Sequence, residues 1–204
     1  MIDARIRPWI DPLLDRLGRP LAATGISADM ITLAGFALGL GAVAALAVGA
    51  YAFALLLILA SRLLDGVDGA VARATAPTDF GGFLDIVCDF VFYAAIPLGF
   101  ALAEPENAVA AAFLAVSFMG TGSSFLAYAV LAAKRGVTTE LRGRKSFYYL
   151  GGLTEGFETI LCFTLMCLIP SAFVPIAWVF GTMCWITAVT RVLAARETFG
   201  RGRA

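Results

Sequence analysis

Four aspartates in an otherwise oily stretch raise the first chemical question. The segment LLDGVDGAVARATAPTDFGGFLDIVCDF, Leu63 to Phe90, carries Asp65, Asp68, Asp85 and Asp89, with Asp79 between the two pairs. On helices, Asp65 and Asp68 (i, i+3) share one face, and so do Asp85 and Asp89 (i, i+4). The chain has no histidine, so acid–base work falls to Asp, Glu, Lys, Tyr or Cys. Carboxylates crowded together repel one another, and an Asp in mid-membrane costs about 2.5–3.5 kcal/mol on insertion scales. A hard divalent cation offsets both, because Mg²⁺ and Mn²⁺ prefer carboxylate oxygen, with phosphate completing the shell. An ion-pair network is the plainer reading: Arg62, at i−3 to Asp65, and Arg73 could neutralise two carboxylates but not four. A membrane cation transporter with the quartet as its ion path is the rival function.

The elements that carry these acids read as membrane helices. Hydrophobic residues make up 60% of the 204 and charged residues only 15%, which is the balance of an integral membrane protein. The formal net charge is zero, and no nucleic-acid partner is expected. Cys88, Cys162, Cys167 and Cys184 sit in apolar runs without metal-site spacing and read as small buried hydrophobes. A spanning helix needs about 20 mostly apolar residues. Six runs are expected to supply one each: 29–49, 51–73, 80–103, 107–132, 152–169 and 173–195. The fold class is thus all-α, an integral membrane protein of six transmembrane helices.

Lys and Arg gather on one side of these spans. Arg5, Arg7, Arg16 and Arg19 precede the first, Arg73 ends the second, and Lys134, Arg135, Arg142, Arg144 and Lys145 separate the fourth and fifth. Arg191, Arg196, Arg201 and Arg203 close the chain, while the opposite loops hold only Glu104 and Glu106. The positive-inside rule then places both termini and the acidic site on the cytoplasmic face of an inner (cytoplasmic) membrane. No signal-peptide core is expected in residues 1–28. There Ile6, Trp9, Ile10, Leu13, Leu14 and Leu17 recur at helical spacing between charges, as in an amphipathic helix lying on the membrane surface. The expected organisation is an interfacial juxtamembrane helix over 1–28, a six-helix catalytic domain over 29–195 and a cytoplasmic tail over 196–204. The second and third spans are expected to be antiparallel neighbours. All four aspartates would then lie roughly 7–13 Å below the helix ends at about 1.5 Å per residue.

Gly69 and Ala72, small residues at i, i+3, leave a groove beside Asp68 and opposite Arg73 that suits a diphosphate. DGVDGAVARATAPTDFGGFLDIVCD resembles the signature of the CDP-alcohol phosphatidyltransferases, D-x2-D-G-x2-A-R, a spacer, then G-x3-D-x3-D. Asp65, Asp68, Gly69, Ala72, Arg73, Gly81, Asp85 and Asp89 fill its eight fixed positions. The spacer from Arg73 to Gly81 holds seven residues, where many members have eight. ISADMITLAGF is similar to the family's P-N-x2-T segment, with Ala28 and Asp29 in place of Pro and Asn, and Thr32 matching. The resemblance implies metal-dependent transfer of a phosphatidyl or similar group from a CDP-linked lipid alcohol to an acceptor hydroxyl, releasing CMP, in phospholipid biosynthesis. It implies two Mg²⁺ or Mn²⁺ ions on Asp65, Asp68, Asp85 and Asp89, with Asp89 also the general base. Gly69, Ala72 and Arg73, with Asp29, Thr32 and Thr78, would contact the CDP-lipid.

Acceptor identity stays open among glycerol 3-phosphate, serine, inositol phosphate and other alcohols. Glu155, Glu158 and the basic run Arg142, Arg144 and Lys145 could bind a polar acceptor. Equally, the basic run could serve topology and the glutamates could pair with Arg62, Lys145 or Arg191. Phosphatidylinositol-phosphate synthases place a basic residue after the last Asp, where this chain has Phe90. A homodimer is expected from the resemblance. Gly120, Gly122, Ser123 and Ser124 would serve it, or else would pack within one protomer.

Overall fold

The computed structural model describes residues 3–136 and 152–200, the side chains of residues 3–5 and 7 excepted. Arg142, Arg144 and Lys145 lie outside the described residues, as do Arg201 and Arg203 of the tail. Every regular element among the described residues is helical: α1 Asp3–Ala23, α2 Ala28–Ala47, α3 Tyr51–Ala74, α4 Asp79–Ala103, α5 Ala108–Arg135, α6 Gly156–Leu168 and α7 Phe173–Phe199. Short 3₁₀ turns, Pro105–Asn107 and Pro170–Ala172, lead into α5 and α7.

Local signals explain where the helices stop and start. Ser27 caps α2, its Oγ accepting from the Met30 N–H at 3.3 Å, and Thr78 caps α4, its Oγ1 accepting from the Gly81 N–H at 2.9 Å. Gly49 ends α2 with φ +73°, a left-handed conformation that glycine takes without a Cβ clash. The chain reverses there, with the Ala50 N–H donating to the Ala45 carbonyl at 2.9 Å.

Among the described residues, four helical stretches are long and apolar enough to cross a membrane: Ala28–Ala47, Asp79–Ala103, Pro105–Arg135 and Pro170–Phe199. The other two expected spans differ in kind. α3 has the length but carries Arg62, Asp65, Asp68 and Arg73. α6 has 13 residues, about 20 Å of helix against a hydrocarbon core of about 30 Å. At the C-terminus, α7 runs to Phe199, past the expected start of the tail at 196.

The helices pack around an aromatic core of Phe92, Phe100, Phe163 and Phe173, each at most 1% exposed. Phe100 stacks on Phe173 with centroids 4.6 Å apart, and Phe92 meets Phe163 edge-on. α2 packs along both α3 and α4, while α3 and α4 are neighbours that meet through side chains such as Arg62 and Asp89 rather than by close backbone packing. Residues 75–78 link the two helices, and four extended residues reach roughly 13 Å, which permits a spacing wider than the 8–10 Å of packed helices. Glycines on α2 favour the other pairings. A Cβ on Gly39 would lie 2.5 Å from the Phe92 ring, and one on Gly35 would lie 3.3 Å from the Ser61 carbonyl.

α1 docks on α3 through Leu14, which fills the space a Gly66 side chain would take, and through Gly18 beside Ala70. Its other face leaves Trp9, Ile10, Leu13 and Leu17 exposed. Two of the small residues of α5 are used inside the protomer, with Gly120 against Trp185 and Gly122 against Phe90.

Candidate functional site

The sparse α3–α4 interface is where the acids meet. One carboxylate oxygen each from Asp65, Asp68 and Asp85 lies within 4.8 Å of the others. Ligands at 2.0–2.6 Å from one ion can be up to about 4–5 Å apart, so the triad fits a single hard divalent cation. Asp68 is 4% exposed, and the Thr32 hydroxyl of α2 donates to its Oδ2 at 2.5 Å. Thr32, expected among the nucleotide contacts, therefore orients a triad carboxylate.

Asp89 stands outside the triad. Its Oδ1 accepts from Arg62 Nη1 at 2.5 Å, and the same nitrogen lies 3.4 Å from Asp65 Oδ1. The ion-pair reading is thus half right: Arg62 does bridge two aspartates. Arg73 does not join them. It points outward to Asp15 of α1, Nη2 to Oδ1 at 2.8 Å.

The signature's small residues have visible reasons. A Cβ on Gly69 would lie 3.3 Å from Arg73 Nη1, so the arginine folds back over the glycine. Ala72 is half-buried on the same helix. A Cβ on Gly81 would lie 2.9 Å from Asp29 Oδ1 and 3.0 Å from Thr78 Oγ1. Gly81 therefore lets the Asp29 carboxylate sit at the first turn of α4, where a helix favours negative charge. Thr78 is the cap of that turn, and both of these expected nucleotide contacts hold the helix start.

Behind the acids, a cavity of about 360 Å³ lies among α4, α5, α6 and α7. Phe90 and Tyr93, one and four residues after Asp89 in sequence, line it, with Thr121, Thr154, Glu155 and Arg191. Glu155 Oε1 accepts from the Gly152 N–H at 3.3 Å, and Arg191 Nη1 donates to the Thr121 carbonyl at 2.9 Å. Sequence reasoning named Arg62 as a partner of Asp65 and missed its contact with Asp89, 27 positions away.

Helices with an interior acidic triad, a Gly–Arg groove and a capped second signature helix match a known pattern. The CDP-alcohol phosphatidyltransferase family matches residues 25–193, and the chain belongs to it. It is 55% identical over 193 residues to the inner membrane protein YnjF of Escherichia coli (strain K12), covering 94% of each chain. It is 29% identical to the archaetidylinositol phosphate synthase of Pyrococcus horikoshii, covering 98% of this chain and 99% of that one. Its fold resembles the phosphatidylinositol phosphate synthase of Mycobacterium tuberculosis with CDP-DAG bound, at TM-score 0.61, 23% identity and 91% coverage of both chains. The same enzyme in complex with manganese and citrate gives a TM-score of 0.59 at 24% identity, covering 90% of this chain and 86% of that one.

Proposed function

We propose that the protein transfers a phosphatidyl, or similar substituted phosphate, group from a CDP-linked lipid alcohol to the hydroxyl of a small acceptor alcohol, releasing CMP. One observation carries this reading: three signature carboxylates lie within reach of one cation, two of them on the helix that also bears Gly69 and Arg73 and the third on α4. Asp65, Asp68 and Asp85 hold the divalent ion. When bound, Mg²⁺ or Mn²⁺ supplies charge neutralisation to the diphosphate and polarises the reacting phosphoryl group. Gly69 and Ala72 leave room for the nucleotide, and Arg73 offers its guanidinium to a phosphate.

Asp89 is the base. Arg62 engages its Oδ1, and Oδ2 takes the acceptor's proton. The acceptor O–H bond breaks as its oxygen bonds to the lipid-side phosphorus, and the P–O bond to CMP breaks with its electron pair leaving on CMP. The cavity beside Phe90 and Tyr93 receives the acceptor. Arg191 is the one Lys or Arg among the described residues that line it.

The placement we propose is six spans, with α3 and α6 joining the four long apolar helices over residues 29–195. α1 lies on the inner leaflet, with Trp9, Leu13 and Leu17 toward lipid. Both termini and residues 134–151 face the cytoplasm, by the charge asymmetry of the loops, and the membrane is the inner one, as the name of the E. coli relative suggests for that protein. The assembly is a homodimer, on family grounds.

The test is CMP release by purified protein given CDP-diacylglycerol and, in turn, glycerol 3-phosphate, serine and inositol phosphate. Release that needs Mg²⁺ or Mn²⁺ with one of these supports the reading. Release that is unchanged in EDTA, or absent with every acceptor, refutes it.

A further inference from the structure

Residues 152–155 run past the cavity as irregular backbone before α6 begins. Backbone of this kind persists at membrane depth only where it is buried in protein or lines a cavity. The fully buried Thr187 of α7 anchors it: Oγ1 accepts from the Leu153 N–H at 3.1 Å and lies 3.2 Å from Thr154 Oγ1. This anchoring sets two opposite charges around Gly152. Glu155 Oε1 accepts from its N–H at 3.3 Å, and a Cβ there would lie 3.3 Å from Arg191 Nη2. Arg191 is also held from α5, where Nη1 donates to the Thr121 carbonyl at 2.9 Å and its guanidinium carbon lies 5.6 Å from the Phe125 ring centroid. Glu155 and Arg191 are the charged side chains among the described residues that line the cavity, and Phe90, Tyr93, Phe118 and Phe125 line it with rings.

Resting on the transferase reading above, we infer that the acceptor is a hydroxy-amino acid in its zwitterionic form, the chemistry of serine. Arg191 takes its carboxylate and Glu155 its ammonium. A phosphate ester would bring a charge of about −1.5 to −2 at pH 7 into a cavity whose described charges sum to zero. A buried charge is costly unless it is paired, and a zwitterion adds none in sum. The guanidinium fork matches a carboxylate, while a carboxylate and aromatic faces together suit an ammonium. An uncharged polyol offers neither Glu155 nor Arg191 a counter-ion. Tyr93 lies one turn beyond Asp89 on the same face of α4, so the cavity runs beside that carboxylate and brings the acceptor hydroxyl to it. At about 360 Å³ the cavity is at the small end of ligand pockets, which fits a small acceptor.

The experiment measures CMP release from CDP-diacylglycerol by the purified protein, with Mg²⁺ or Mn²⁺ present, against acceptors that differ in charge. Serine is compared with ethanolamine, which lacks the carboxylate, with glycerol and inositol, which are uncharged, and with glycerol 3-phosphate and inositol phosphate. Serine should give the highest kcat/KM, by at least about tenfold over each of the others. Glu155→Gln and Arg191→Gln should each raise the KM for serine at least about tenfold while kcat stays within about threefold. Arg191→Gln should leave the KM for ethanolamine within about threefold, because ethanolamine has no carboxylate for Arg191 to hold. A merely structural role for either residue would instead lower kcat with every acceptor alike. A kcat/KM for any other acceptor that equals or exceeds that for serine overturns the inference and leaves the transferase reading standing. No CMP with any acceptor sinks the transferase reading itself. Should the variants fail to fold, the wild-type comparison decides by the same ratio.

Discussion

Removing the Thr32 hydroxyl should weaken metal binding without touching a ligand. Thr32 and Asp68 are 7% and 4% exposed, and the hydrogen bond between them is 2.5 Å long. In Thr32→Val the side chain keeps its shape and Asp68 loses its donor. A hydrogen bond to a charged group contributes about 1.5–3 kcal/mol, which is about 10–150-fold in an equilibrium constant at 1.36 kcal/mol per decade. Partners that orient a metal ligand typically account for about 10–100-fold in affinity, so the two routes agree. Released from Thr32, Asp68 is free to turn away from Asp65 and Asp85, and the triad must be reassembled each time an ion binds. The Mn²⁺ dissociation constant, read by paramagnetic resonance with no nucleotide present, should rise by about 10–100-fold in Thr32→Val. Thr32→Ser, which keeps the donor, should stay within about threefold. A folded Thr32→Val protein that binds Mn²⁺ as wild type does would refute orientation by Thr32. Tighter binding would mean that the hydroxyl competes with the ion for Oδ2.

Three further outcomes follow from the same geometry. Asp89→Asn should slow CMP release by at least about 100-fold, in keeping with loss of a general base, while CDP-lipid binding by calorimetry is retained; near-wild-type turnover would remove Asp89 from the chemistry. Gly39→Ala should destabilise the fold by about 1–3 kcal/mol, because the new methyl would meet the Phe92 ring at 2.5 Å; an unchanged melting temperature in detergent would show that the ring yields freely. The four native cysteines are buried, so single cysteines introduced at positions 106 and 138 can report sidedness; an impermeant thiol reagent should label them from opposite faces of sealed cells, and equal labelling would overturn the proposed topology.

Local pattern was enough to place the helices. Each expected span from 29 to 195 coincides with a helix, because apolar runs bounded by Gly, Pro and capping residues are read within a few neighbours. The i, i+3 and i, i+4 spacings likewise put each pair of aspartates on one face, which needs only the helical repeat. Whether a run is long and apolar enough to span was less legible. α3 carries its own charges, and α6 begins only at Gly156, after residues 152–155 have spent part of the apolar run on irregular backbone. Partner choice was hidden altogether. Thr32 meets Asp68 across 36 positions, Arg62 meets Asp89 across 27, and Arg73 turns to Asp15 across 58. Those pairings depend on which helices approach closely, and here α2 lies against both α3 and α4 while α1 lies against α3. Absent side chains set these approaches, at Gly35 and Gly39 for α2, at Gly66 and Gly18 for α1, and at Gly81 for Asp29. A glycine in a sequence gives no sign of what will fill the space it leaves; only the packed helices decide that.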